Sequence, residues 1–171
     1  MAKTEDHHAK RSIPHAMKIR FPFSVNVRFP GDLEYIPAVR KFVAELLQVS
    51  NFSSKFAYRS EIIVDEICNN AVAYGCRTDD AQIDLLNTIF DDRIEFTIRD
   101  EGGTKDNVRR LKTAAKTTGR GKKEQTQQGL GLEIVRMLSE RLDVVINEEN
   151  LTSVHIVRKR EDEREDVRNI T

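Results

Sequence analysis

The sequence predicts an α+β fold, a two-layer sandwich in which helices cover one face of a mostly antiparallel β-sheet. Three observations support this prediction. Strand patterns with a period of two occur near both ends of the chain and in its middle, helical patterns are few, and the helices fall between groups of strands. With 171 residues, of which 39% are hydrophobic, the chain is long enough to bury the core of one domain.

The chain is predicted to begin with a flexible polar tail over residues 1–16. The first strand is predicted between Met17 and Phe29, where apolar and polar residues alternate. Pro22 interrupts this pattern and favours an edge strand or a bend, because proline cannot donate a ladder hydrogen bond. A second subunit can pair with an edge strand, so this segment is a candidate surface for a homodimer.

Two helices are predicted next. Asp32 is a predicted N-cap for a helix that runs to about Val49. Its apolar positions are spaced to form one core face, made of Leu33, Ile36, Val39, Phe42, Val43, Leu46 and Leu47. A serine of the loop at residues 50–54 is predicted to cap the second helix, which contains residues Glu61 to Gly75.

The second helix carries two polar pairs opposite its apolar stripe, Asp65 with Asn69 and Glu66 with Asn70. The four-residue spacing points both members of a pair in the same direction from consecutive turns. An acid beside an amide on a rigid helix is a usable site for a metal and a nucleotide. An ordinary solvated helix face has the same composition, so both interpretations stay open on this segment alone.

A hairpin is predicted after this helix, with strands around Ile83–Ile89 and Ile94–Ile98 and a tight turn at Asp91–Asp92. Residues 104–128 then lack a sustained period and contain eight basic and two acidic residues. A segment of this length is usually functional or disordered. Its charge suits a phosphate or a nucleic acid, and it also suits a solvated loop.

The last helix is predicted to open at Gly129–Leu132, and it is followed by two closing strands around Leu142–Ile146 and Val154–Lys159. Residues 160–171 mix charges of both signs and are predicted to be a charged C-terminal tail. The folded domain is therefore predicted to span residues 17–159.

Composition excludes several classes of protein. The 28 basic residues balance the 28 acidic ones, so net charge gives no indication of nucleic-acid or membrane binding. No apolar run approaches the roughly 20 residues needed to cross a bilayer, and the N-terminus lacks an apolar signal core. We therefore expect a cytoplasmic protein, in which Cys68 and Cys76 are free thiols.

Three polar elements are candidates for one site. They are Glu66 with Asn70 on a helix, Asp100 with Gly102 at a strand end, and Gly129 with Gly131 at a helix start. Glycines at a helix N-terminus let backbone amides approach a phosphate, whose charge the helix dipole favours. An aspartate can accept a hydrogen bond from an exocyclic amine, as recognition of adenine requires. An asparagine oxygen can bind Mg²⁺, and a glutamate one turn away can act as a general base.

In this order and spacing, the three elements resemble the GHKL, or Bergerat-fold, ATPase superfamily, whose fold is histidine-kinase-like. Within it, the chain from about Phe29 to Lys159 looks most like bacterial anti-sigma factors that are also serine/threonine protein kinases. Glu66-Ile67-Cys68-Asn69-Asn70-Ala71 resembles the N box of that superfamily. This resemblance implies that Glu66 is the catalytic base and that Asn70 binds Mg²⁺ and ATP.

The other motifs imply the rest of an ATP site. Asp100-Glu101-Gly102 resembles the first glycine box, which implies that Asp100 binds adenine and that Gly102 belongs to the ATP-binding site. Gly129-Leu130-Gly131-Leu132 resembles the second glycine box, which ends a mobile ATP lid over about residues 104–128 and implies that Gly129, Leu130 and Gly131 contact ATP. Thr152 stands where the family usually has a threonine near adenine. The sequence departs from the family pattern at Thr104 and Leu151, which replace glycine, and at Tyr74, which replaces histidine.

The resemblance implies an anti-sigma factor that sequesters a sigma factor. It would use ATP and Mg²⁺ to phosphorylate a serine or threonine of an anti-anti-sigma (STAS-type) protein. The first alternative is an ATP-binding regulator of the same fold that binds a partner without phosphotransfer, and the second is a scaffold that has lost ATP binding. Nucleic-acid binding by the basic segment is disfavoured, because that segment lacks interleaved aromatic residues.

Overall fold

The computed structural model describes residues 19–104, 106–107, 109, 127–147 and 151–160. Within these residues the sheet has five strands, in the order β1-β2-β3-β5-β4, and every neighbouring pair is antiparallel. The strands are β1 (Phe23–Pro30), β2 (Gln82–Ile89), β3 (Arg93–Asp100), β4 (Arg141–Ile146) and β5 (Thr152–Lys159). This antiparallel sheet confirms the predicted fold class.

The helices that position the site lie against one face of the sheet. They are α1 (Ile36–Val49), α2 (Ser54–Asn70) and α3 (Gln127–Leu138). A 3-10 turn, Leu33–Tyr35, precedes α1, and a five-residue π-helical segment, Ala71–Gly75, continues α2 without a break. Apolar side chains of the helices pack on alternate residues of the strands and form one core. The two layers of the predicted sandwich are therefore present.

Local capping explains where the 3-10 turn and α2 begin. The first α-helix itself begins after Tyr35 without a side-chain cap, so Asp32, predicted to cap that helix, caps only the turn that precedes it. The Asp32 carboxylate accepts a hydrogen bond from the Glu34 backbone N–H at 3.0 Å, and the Ser53 hydroxyl accepts one from the Phe56 N–H at 3.2 Å. Each cap satisfies a backbone donor that the start of a helix leaves without an intrahelical partner. Both caps could be predicted from the sequence, because each depends only on neighbouring residues.

Two residues of the predicted core face of the first helix are exposed, so that part of the prediction is wrong. Leu33 is 54% exposed and Phe42 is 40% exposed. The α-helix begins only at Ile36, so Leu33 belongs to a 3-10 turn with a different periodicity. Phe42 falls beside the buried stripe of α1, which includes Val39 and Val43.

One predicted boundary shifts by several residues, because the strand predicted from Met17 begins at Phe23. The second helix begins at Ser54, directly after a serine of the loop predicted to cap it. Strand β1 lies at an edge of the sheet, as Pro22 indicated.

Other predictions fall outside the described residues. These are the tails at residues 1–16 and 161–171, and most of the lid at residues 104–128. None of the helices in the described part of the chain is both long and apolar enough to cross a membrane.

Candidate functional site

A pocket of about 460 Å³ opens between α2, the π-helical segment and the adjoining ends of β3 and β5. Its wall is mainly apolar and includes Ile67, Ala71, Ile98, Leu132 and Val154. Asn70, Asp100 and Thr152 contribute polar groups to the same wall. Small-molecule sites typically combine apolar walls with a few polar groups. This pocket therefore has the chemistry of a site for a small organic ligand.

Asp100 is the buried acid of the pocket, with only 8% of its surface exposed. It is the last residue of β3 and lies opposite Thr152 in the register of β3 with β5. Its Oδ1 atom accepts a hydrogen bond of 2.8 Å from the Gly102 backbone N–H, and the Thr152 side chain provides another hydrogen bond. Gly102 has a φ of 69°, which glycine adopts without steric strain. The carboxyl group is thus held by a turn and by the neighbouring strand.

Burial raises the pKa of Asp100 to about 6. The hydrogen bonds from Gly102 and Thr152 and the positive charge of Arg77 oppose this increase, and the charge of Glu101 adds to it. The carboxyl group is therefore mostly ionised at neutral pH, although it is buried in an apolar wall. An ionised carboxylate in such a place is a strong acceptor for a ligand N–H group.

Glycines let the π-helical segment pack directly on the loop that follows β3. A β-carbon on Gly75 would overlap the carboxyl group of Asp100, and one on Gly103 would overlap the carbonyl oxygen of Tyr74. π-Helical turns occur frequently at functional sites. Here the backbone of the π-helical segment packs on the Asp100 carboxyl group and on Gly103, so the position of the carboxyl group depends on Gly75.

Glu66 and Asn70 lie on consecutive turns of α2, on the side that faces α3. Burial, followed by the charge of Asp65, raises the pKa of Glu66. A β-carbon on Gly131 of α3 would overlap the Glu66 carboxylate, so that carboxylate packs directly on the α3 backbone. The Asn70 side-chain nitrogen is buried and has no hydrogen-bond partner among the described residues. A buried amide without a partner is rare in folded proteins, and a bound ligand is one way to satisfy it.

Asn70 is the residue that fits a magnesium ion. The described residues contain no group of three or more His, Cys, Asp and Glu side chains able to hold a metal. Mg²⁺ needs few protein ligands when it arrives with a nucleotide, because it keeps several waters and shares phosphate oxygens. Rotation of the Asn70 amide by 180° would present an oxygen ligand where the unpartnered nitrogen lies. Asn70 could therefore serve as the protein ligand of a Mg²⁺ ion that arrives with a nucleotide.

The predicted site residues do not all occupy the same part of the site. Asn70, Asp100 and Thr152 line the pocket. Gly102 does not line it, but its backbone N–H donates a hydrogen bond to the Asp100 carboxylate. Glu66 contacts Gly131 beside the pocket. Gly129 and Leu130 belong to the first turn of α3, which begins at Gln127, two residues earlier than predicted.

Sequence reasoning missed two residues that organise the site. Gly75 ends the predicted helix and therefore resembled an ordinary C-terminal glycine. Arg77 follows it in an irregular segment, yet its guanidinium donates hydrogen bonds to the carbonyl oxygens of Gly102 and Gly103. No local pattern signals a contact between residues that are 25 positions apart.

Comparison with known proteins agrees with this geometry. The family model of the histidine kinase-like ATPase domain matches residues 29–158. The chain belongs to this family. The predicted GHKL resemblance is thereby confirmed, and the matched range contains every residue that lines the pocket.

Named relatives are distant but cover most of the chain. One is the serine-protein kinase RsbW of Bacillus cereus (strain AH187), which is 23% identical over 125 residues, 72% of this chain and 78% of the relative. Another is the serine-protein kinase RsbW of Bacillus pumilus (strain SAFR-032), which is 26% identical over 133 residues with the same coverage of both chains. These matches support a kinase-type enzyme with an ATPase domain.

Proposed function

We propose that this protein binds ATP in the pocket beside Asp100 and transfers the γ-phosphoryl group to a serine or threonine of a protein substrate. The observation that carries the proposal is a buried carboxylate in an apolar pocket beside an Asn70 amide without a partner among the described residues. The Glu66 carboxylate lies one helical turn away from that amide. The relatives named serine-protein kinases favour a protein as the phosphate acceptor.

The base-binding half of the mechanism would depend on Asp100 and the apolar wall. Asp100 would accept a hydrogen bond from the exocyclic amine of adenine, while Thr152 and Gly102 hold the carboxylate in place. Ile98 and Val154 would cover the ring, because they line the same pocket. Burial makes a hydrogen bond to the ionised acid stronger than it would be in water.

The phosphate-binding half would depend on α2 and α3. Asn70 would hold Mg²⁺, which when bound neutralises negative charge on the phosphates. Gly129 and Leu130 lie in the first turn of α3, where unpaired backbone amides and the helix dipole favour phosphate, and Gly131 follows them. Glu66 would accept the proton of the attacking hydroxyl, and its raised pKa brings it closer to the operating pH of a general base.

The proposal extends to partners and location. We infer that the protein is an anti-sigma factor in the cytoplasm, which sequesters a sigma factor and phosphorylates an anti-anti-sigma protein of the STAS type. The support for these partners is the motif resemblance together with the distant kinase relatives.

The experiment that tests this function replaces the proposed base. Glu66→Gln is expected to retain ADP binding and to lose at least about a hundredfold in phosphate transfer from ATP to the STAS-type antagonist of the same organism, because general-base catalysis contributes roughly 10²–10⁴-fold. Calorimetry measures ADP binding, and labelled ATP measures transfer.

Glu45→Gln is the matched control, because Glu45 is an exposed acid on α1. Undiminished transfer by Glu66→Gln would remove Glu66 from the mechanism. ATP binding by the wild-type protein without transfer would favour the regulator that acts only by binding.

A further inference from the structure

Arg77 connects the segment after the π-helical turn to the loop after β3. It lies two residues beyond the π-helical segment, and its side chain reaches the loop after β3. The Nε atom donates a hydrogen bond to the carbonyl oxygen of Gly102, and the Nη2 atom donates one of 3.4 Å to the carbonyl oxygen of Gly103. The guanidinium group is planar and presents several donors in a rigid arrangement, which lets it engage two adjacent carbonyls.

The two polar ends of Gly102 are held by different partners. Its N–H donates to Asp100 Oδ1 at 2.8 Å, and its carbonyl accepts from Arg77. Gly102 is in the left-handed region, with a φ of 69°, where a glycine has many alternative conformations in a free loop. The hydrogen bond from Arg77 holds the peptide that follows Gly102. This restricts rotation about the bonds of Gly102 and helps to keep its N–H, which belongs to the preceding peptide, directed at Asp100. Arg77 therefore restrains the turn that orients the buried acid.

We propose that Arg77 is a positioning residue for adenine recognition, and that it acts through Gly102 on the orientation of the Asp100 carboxylate. The inference rests on the proposed role of Asp100 as the adenine acceptor. Arg77 itself does not line the pocket, and its contacts are with the backbone on the base-binding side.

The placement of Arg77 argues against a direct contact with phosphate. Glu66 and Gly131 belong to the proposed phosphate-binding half and lie near one end of the site. Gly75 contacts Asp100 at the other end. Along α2 a rise of about 1.5 Å per residue separates Glu66 from Asn70 by roughly 6 Å, and the π-helical segment continues from Ala71 to Gly75, farther from Glu66. Arg77 follows Gly75 and is directed to the loop at the Asp100 end, so its effect is expected on the base and not on the phosphates.

The test compares adenosine with ADP as probes, using NMR titration for adenosine and calorimetry for ADP. Arg77→Gln is expected to weaken both ligands by the same factor, about tenfold, because it removes charged hydrogen bonds that hold the acceptor loop. Arg77→Lys is expected to recover part of the affinity, since lysine keeps a charged donor but cannot match the two-carbonyl geometry. Arg99→Gln is the matched control, because Arg99 precedes Asp100 but is exposed on the opposite face of β3.

A double-mutant cycle separates positioning from an independent effect. If Arg77 acts through Asp100, most of the loss caused by Arg77→Gln disappears in an Asp100→Asn background. An equal loss in that background would overturn the inference, as would a loss confined to ADP or wild-type affinity in Arg77→Gln. Far-UV circular dichroism checks the fold of each variant, and Arg77→Lys provides a second folded variant.

The same measurements distinguish this inference from the proposed function. If the wild-type protein binds neither adenosine nor ADP, the proposed function fails and the inference fails with it. If the wild-type protein binds both ligands and Asp100→Asn weakens them while Arg77→Gln does not, the inference alone fails.

Discussion

Two aspartates near neighbouring strands occupy opposite environments. Asp84 of β2 lies on the outer face of the sheet, where its carboxylate accepts two hydrogen bonds of 2.9 Å from the Arg28 guanidinium. These hydrogen bonds lower the pKa of Asp84 below its usual value. Asp100, at the end of β3, is bound by the Gly102 N–H and by Thr152, and burial raises its pKa to about 6.

Asp84 belongs to an ion pair on the surface of the sheet, whereas the carboxylate of Asp100 is available to a ligand in the pocket. The charge of Asp84 is matched directly by a side chain of opposite sign. The charge of Asp100 is held by neutral donors in an apolar wall, and Arg77 acts on it mainly by holding the loop carbonyls. A titratable group with a perturbed pKa in a concave pocket is a typical functional residue.

The largest effect is expected from closing the space beside Asp100. Gly75→Ala would place a methyl group where the Asp100 carboxyl lies, so the carboxyl must move and lose the Gly102 hydrogen bond. Overpacking and a lost charged hydrogen bond together are expected to weaken ADP binding by about a hundredfold or more. Calorimetry measures the affinity. Ala73→Ser is the control, because Ala73 is exposed on the same π-helical segment. Wild-type affinity in Gly75→Ala would show that the carboxyl position is unimportant for binding.

The second prediction compares the two acids directly. Asp100→Asn is expected to weaken adenosine binding by about ten- to a hundredfold, because hydrogen bonds to charged groups contribute roughly 1.5–3 kcal/mol. Asp84→Asn is expected to leave adenosine affinity unchanged, since its partner Arg28 lies on the outer face. NMR titration of both variants measures the difference. Equal losses in the two variants would mean that the effect comes from charge or stability and not from the pocket.

The third prediction uses pH in place of mutation. If the ionised form of Asp100 is the acceptor, adenosine affinity falls as pH decreases through the pKa of about 6. Between pH 7 and pH 5 the affinity is expected to decrease about tenfold, in line with the ionised fraction. Asp84→Asn should keep this profile, and Asp100→Asn should flatten it. A profile that stays the same in Asp100→Asn would assign the titration to another group.

The last prediction concerns stability, to which the two acids contribute with opposite signs. The folded state raises the pKa of Asp100, so between about pH 4 and pH 6 the folded state keeps a proton that the unfolded state has released. The contribution of Asp100 to the free energy of unfolding therefore falls as pH rises through that range, by up to about 3 kcal/mol. The folded state lowers the pKa of Asp84, so its contribution is present above the unfolded pKa and is lost as pH falls below it.

Urea unfolding of Asp100→Asn and Asp84→Asn between pH 3 and pH 7 measures these slopes. Asp100→Asn should remove a slope between pH 4 and pH 6, whereas Asp84→Asn should change the slope only at the acid end. Identical pH profiles for the two variants would contradict the assignment of opposite environments.

Much of the fold was predictable because its signals are local. The caps at Asp32 and Ser53 depend on residues within one turn, and the alternation in β2 and β3 states which side chains face the core. The positions of Leu33 and Phe42 were predicted wrongly. The exposure of Leu33 depends on where the 3-10 turn becomes an α-helix, which apolar spacing does not mark. The exposure of Phe42 depends on which side of α1 packs on the core.

The amino-acid sequence alone was enough to predict the order of strands and helices, the caps at Asp32 and Ser53 and the family to which the chain belongs. It was enough because periodicity, capping and short motifs depend on residues that are neighbours along the chain. Only the tertiary structure decided which groups touch: Asp100 with Thr152 across two strands, Gly75 and Arg77 with the loop after β3, and Gly131 with Glu66. These partners are between 25 and 65 positions apart, and their contacts follow from strand register and helix packing, which no local pattern encodes.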